Sequence, residues 1–165
     1  MCGLRQATIN LLTAGLFHLV EQLLAKLCYD CVFRDFRLKE AKIDPIVDWY
    51  RQHFDLDLEK LPQWSTIKEL RFLANAVKHA EGSGARQIRE LRPEVFRNPL
   101  LDKLGMTSSL SDDPLRLPLA GDDLFVTEPM FSEYATTVLD FVRAIIAHFE
   151  QNARRGYPCA PGGAP

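Results

Sequence analysis

The stretch LRQATINLLTAGLFHLVEQLLAKLCYDCVFRDF, residues 4–36, decides the fold class. Leu12, Leu16, Leu19, Leu23 and Leu27 recur at spacings of three and four, the period that lines one face of a helix. Leu11, Val20 and Leu24 widen the stripe, which predicts a long central helix with these leucines facing the core. Gln6, Asn10, Thr13 and Glu21 form a polar row expected on another side. Nothing in this stretch has the two-residue alternation of a strand.

Working outward, the remaining segments also read as helices. Asp44-Pro45 predicts a second start, with the aspartate as cap, and Ile46, Trp49, Tyr50 and Phe54 continue it. Thr66-Ile67-Lys68-Glu69 has the form of a capping box. The helix it opens would bury Ile67, Leu70, Leu73, Ala74 and Val77 and stop at Gly82 and Gly84 in a left-handed cap. A short helix is expected over 85–91 and a long one over 129–154, where Phe131, Tyr134, Val138, Phe141, Ile145 and Phe149 keep the helical period. Between 97 and 127 the chain is rich in proline and glycine, and a small irregular hairpin is expected around Ala120-Gly121-Asp122. The expected architecture is all-α: a bundle of four or five helices forming one domain over 1–155, with a disordered Pro/Gly-rich tail over 156–165.

The totals narrow the function. Twenty Lys and Arg face 22 Asp and Glu, so no general field draws the chain to nucleic acid or to an anionic membrane. Cys2, Cys28, Cys31 and Cys159 follow no secretory segment and do not read as a disulfide framework. Cys28-Tyr-Asp-Cys31 has redox and zinc spacing, but it ends a leucine-rich helix and has no second pair, so it reads as packed thiols. The polar load on the first helix argues against a bilayer span, and a cytoplasmic protein without cofactor or metal is expected. Phosphate loops, serine elbows and dinucleotide fingerprints do not occur. Asp112-Asp113 and Asp122-Asp123 read as turn residues.

One helix carries chemistry. Arg71, Asn75 and Lys78 stand at i, i+4 and i+7, and His79 lies at the edge of the same arc. Such a row suits a phosphate: the cations neutralise charge, asparagine directs hydrogen bonds, and histidine exchanges protons near neutral pH. His18, Glu21 and Gln22 cluster on the first helix and could adjoin His79. The bland reading is an ordinary solvated face for the first group and a core-edge histidine bonded to its glutamate for the second.

The string Leu70-Arg71-Phe72-Leu73-Ala74-Asn75-Ala76-Val77-Lys78-His79 resembles the signature helix of HEPN-like domains. The opening helix, and Asp123-Leu-Phe-Val-Thr127 before a Phe/Tyr-rich helix, are similar in layout over residues 4–152. The resemblance implies an all-α bundle, commonly a homodimer. Catalytic members are metal-independent RNases acting at the dimer cleft, many of them in toxin–antitoxin or phage-defence systems. Their motif has an arginine, then a polar residue, then the histidine. Here His79 fits the histidine and Asn75 the polar neighbour, but Ala74 stands at the arginine position. Arg71 is eight positions before His79, about 12 Å at the helical rise. By this resemblance His79 would take a proton from a ribose 2′-OH while Lys78, Arg71 and Asn75 steady the phosphate, with His18 and Glu21 as a second shell. Two alternatives stand beside it: a non-catalytic protein-interaction module, for example the partner of a nucleotidyltransferase, and a metal-binding bundle using His18, Glu21 and His79.

Overall fold

The computed structural model describes residues 2–32, 42–105, 115 and 123–154, and all regular structure among them is helical. Six α-helices occur there: α1 (Cys2–Val32), α2 (Ile43–Phe54), α3 (Trp64–His79), α4 (Ser83–Leu91), α5 (Pro99–Lys103) and α6 (Glu128–Arg154). Two 3-10 turns, Leu58–Lys60 and Pro93–Phe96, join them. The extra helix over the expected four or five is α5, inside the stretch read as breaker-rich. The hairpin is not formed in its described part: 123–127 is irregular and bonds the Pro93–Phe96 turn through Phe125 N–H to the Val95 carbonyl (2.6 Å). Residues 116–122, the aspartates at 112, 113 and 122, Cys159 and the 156–165 tail lie outside the described residues.

Contacts within the chain cluster into two compact units. One takes the chain up to Phe17 and Thr66–Thr136; the other takes His18–Ser65 and everything from Thr137.

In the first unit, the start of α1 departs most from the sequence expectation. Asn10 and Thr13 are fully buried, whereas Leu12 is 53% exposed. In the second unit Val20 and Leu24, expected to widen the core stripe, are buried with Ala25 and Cys28, whereas Leu19 is exposed. In the first unit α1 buries Asn10, Thr13, Ala14 and Phe17 and half-buries Gln6 and Leu16, so the polar row turns inward and Leu11 and Leu12 outward. The reason lies in hydrogen bonding. The Gln6 Nε2 donates to the Val126 carbonyl (2.8 Å) and to Asn10 Oδ1 (3.0 Å), and the Asn10 Nδ2 donates to the Leu124 carbonyl (2.9 Å). The irregular 124–126 backbone, with Leu124 and Val126 fully buried, has no ladder of its own and takes these amides instead. Because α1 carries apolar residues around nearly its whole circumference, this polar demand sets its phase. By length and composition α1 would also cross a membrane, with mean hydropathy 1.4 over Gly3–Tyr29.

The expected capping box on α3 is not built. The helix starts at Trp64, and Glu69 turns to better partners: Arg92 Nε donates to it (2.9 Å), and so does the Tyr134 hydroxyl. Burial, reinforced by that bond, pushes the Tyr134 phenol far above its usual range. The end of α3 is also different: Ala80, not a glycine, takes the left-handed conformation (φ 57°). After it, Glu81 pairs with Arg89 (3.2 Å) and accepts the Leu115 N–H (3.0 Å), while Arg89 lies over the Phe96 ring at 4.4 Å.

The second unit is aromatic. The Tyr50 hydroxyl donates to the Leu24 carbonyl (3.1 Å), Phe54 meets Phe149 edge-on at 4.6 Å, and Trp64 lies 6.2 Å from Phe141. Here Asp44 does not cap α2; Lys42 stands at the cap without a side-chain bond, and Asp44 sits in the first turn, where its charge still favours the helix dipole. Asp55, left-handed at φ 50°, ends α2. Cys28 is fully buried, in keeping with a packed thiol, whereas the Cys31 side chain is outside what is described.

Glu81 supplies a pH test. The Arg89 guanidinium holds its carboxyl below the usual range, so the folded state favours the charged form. The stabilisation is therefore present in full above about pH 4.5 and is lost as pH falls through the lowered value. Urea unfolding of Glu81→Gln should show a shallower loss of stability over that acid window than the parent chain, with the difference largest at neutral pH.

Candidate functional site

The residues of α3 sort by period into two arcs. Leu70, Leu73, Ala74 and Val77 are buried, together with Ile67. Lys78 and His79 are exposed, and Arg71 and Asn75 are half-buried, all four on the opposite arc of the helix and in the first unit. The structure therefore brings these four together on one side, as the spacing requires. It also adds Lys68, three positions before Arg71 and exposed, which the sequence reading passed over. The signal was the same helical period, run one turn toward the start. From Lys68 to Lys78 the row spans about 15 Å along the axis.

The position before Asn75 is a core position. Ala74 is 1% exposed, enclosed on the same side as Leu70 and Leu73, and an arginine there would have to bury its charge. Arg71 is the nearest arginine, and it stands two turns from His79.

Asn75 owes its setting to α4. Gly84, in the first turn of α4, lies so close to α3 that an added Cβ would stand 2.7 Å from the Asn75 Cβ and 2.9 Å from the Phe72 carbonyl oxygen. Gly84, expected to end α3, instead lets α4 lie against it.

His18 and Glu21 form a pair of their own, with His18 Nδ1 3.0 Å from Glu21 Oε2, and both are half-buried. They belong to the second unit. Among the described residues, no three His, Cys, Asp or Glu side chains come together to hold a metal ion. A cavity of about 380 Å³ lies in the second unit, lined by Arg51, Asp55, Asp57, Lys60 and His148 among others. None of the six candidate residues lines it. Arg51 is committed to Asp48 (3.0 Å), Asp57 (3.2 Å) and Glu59 (2.8 Å), and its hydrogen bond holds the Asp57 carboxyl below its usual range.

Comparison with protein-family models, curated proteins and solved structures finds no match to this chain.

Replacing Gly84 tests the contact behind Asn75. Alanine normally stabilises a helix interior relative to glycine by about 1 kcal/mol. Here the clash with backbone outweighs that gain, so Gly84→Ala should lower stability by about 1–3 kcal/mol in urea titration.

Proposed function

We propose that the chain is a helical RNA-binding protein whose α3 arc of Lys68, Arg71, Asn75, Lys78 and His79 holds the phosphate backbone. The observation that carries this is the donor-rich row itself, with exposed Lys68, Lys78 and His79 and half-buried Arg71 and Asn75 on one arc and no carboxylate among them. Donors along about 15 Å of helix reach more than one phosphate of a strand. The resemblance to HEPN-like domains favours RNA over other polyphosphates and brings with it a cytoplasmic setting and a toxin–antitoxin or defence role.

Binding is the better reading than cleavage. With Ala74 in the core, the arc lacks the arginine that the family's RNases place beside the polar residue, and Arg71 is too far along the helix to share one phosphate with His79. A protein-interaction role, such as partner of a nucleotidyltransferase, is the second reading. Exposed Leu91, Leu100 and Leu104 in the same unit favour it, since apolar side chains in solvent mark contact surfaces.

Incubation with a mixed RNA substrate in EDTA tests the proposal. Intact RNA bound by the parent chain, with affinity falling roughly tenfold in the Arg71→Ala, Lys78→Ala double variant, is the expected outcome. No binding would leave the protein-interaction reading. RNA turnover that His79→Ala abolishes would make the arc catalytic.

A further inference from the structure

One aromatic of α3 stands outside the core and beside the donor row. Trp64 is buried and meets Phe141, whereas Phe72 is half-buried. At 100° per residue, Phe72 lies within about 60° of Lys68, Asn75 and His79 around the helix. Along the axis it falls about 6 Å after Lys68 and about 4.5 Å before Asn75. A cation and an amide therefore flank it on one strip of surface.

Three features leave this ring open to a ligand. First, the residue of α4 that abuts its backbone brings no side chain. Gly84 lies so near that an added Cβ would stand 2.9 Å from the Phe72 carbonyl oxygen, so the backbone is firmly seated and the ring is not covered from that position. Second, among the described residues neither another ring nor a guanidinium stacks on Phe72, while Phe96 in the same unit already lies under Arg89. Third, the one carboxylate beside it on α3 is neutralised. Glu69, one turn before Phe72, accepts from Arg92 and from the Tyr134 hydroxyl, so it does not repel a phosphate held by the row.

A strand gripped by its phosphates carries its bases alongside the contact, where an aromatic face lets a base stack. In a duplex the bases stack on one another inside the helix and reach no such ring. Lys68, Arg71 and Lys78 meet much the same phosphates on either form. Only an unpaired base can use Phe72.

We infer that Phe72 is the base platform of the α3 row, stacking one unpaired base while Lys68, Asn75 and His79 hold the adjoining phosphates. The inference rests on the RNA-binding reading and narrows it to strands with unpaired bases. Sequence matters little, since every base has a face to stack.

Fluorescence anisotropy with the full chain tests this on three probes: an unstructured RNA of about 12 nucleotides, the same strand in a duplex, and an abasic phosphodiester strand of equal length. Parent, Phe72→Leu and Phe72→Tyr are compared, with circular dichroism to show that they are equally helical. The parent should bind the unpaired RNA more tightly than either other probe. Phe72→Leu should weaken that binding roughly tenfold and hold the abasic strand within about twofold, while Phe72→Tyr keeps the parent affinities. A Phe72→Leu chain that binds unpaired RNA as tightly as the parent overturns the platform and leaves phosphate binding standing. An equal loss on RNA and abasic strand overturns it too, by making Phe72 a packing residue behind the row. If Phe72→Leu does not fold, a parent with equal affinity for the strands with and without bases still overturns it. A parent that binds none of the three probes removes the RNA-binding reading and the platform together.

Discussion

A buried amide sets the orientation of the longest helix. Asn10 is fully enclosed, and its Nδ2 donates to the Leu124 carbonyl while Gln6 reaches Val126 from the preceding turn. Neither carbonyl belongs to a helix or a ladder, so without these amides both would be desolvated and unpaired, at about 1–3 kcal/mol apiece. Once Asn10 must point inward, Thr13, Ala14 and Phe17 follow at the helical period within the first unit, and Leu11 and Leu12 are carried outward.

Apolar area alone does not fix that choice, because leucine, isoleucine, phenylalanine and alanine lie around most of the helix start. The polar term wins since α1 is apolar on almost every side: any rotation buries a comparable hydrophobic strip, and only one rotation also satisfies the 124–126 backbone. What is left outside is a surface rich in leucine and free of charge over three turns. Similar arithmetic governs Glu69. As a capping residue it would gain one backbone donor at an exposed helix start. Bonded to Arg92 and Tyr134 it neutralises a guanidinium and satisfies a buried phenol, which is worth more in a partly dry site.

Legibility in the sequence follows from how one-sided each segment is. Helix α3 has a clean apolar arc, so both its buried residues and the polar row of Arg71, Asn75, Lys78 and His79 could be read from spacing. Lys68 was less legible because Thr66-Ile67-Lys68-Glu69 also has the form of a helix start, whose residues carry no fixed place on the helix face. The last helix was legible to within a residue at its start, from its regular aromatics. Helix α1 was legible as a helix, with Val20 and Leu24 buried as expected, but the exposure of Leu11 and Leu12 was not, since hydrophobic pattern carries little phase where apolar residues lie on most faces. Caps were the least legible. Ala80 takes the left-handed position by context, and Gly84 serves a close helix approach, so glycine signalled crowding there and not termination.

The inward amide is therefore the central claim, and paired substitutions test it most directly. Unfolding midpoints would be compared for Asn10→Leu, which makes the sequence more apolar, and Leu12→Asn, which makes it more polar. The account predicts that Asn10→Leu costs about 1–3 kcal/mol by orphaning the Leu124 carbonyl, while Leu12→Asn, at a position more than half exposed, changes stability by less than about 1 kcal/mol. A stabilised Asn10→Leu beside a strongly destabilised Leu12→Asn would contradict it, and would place Leu12 in the core.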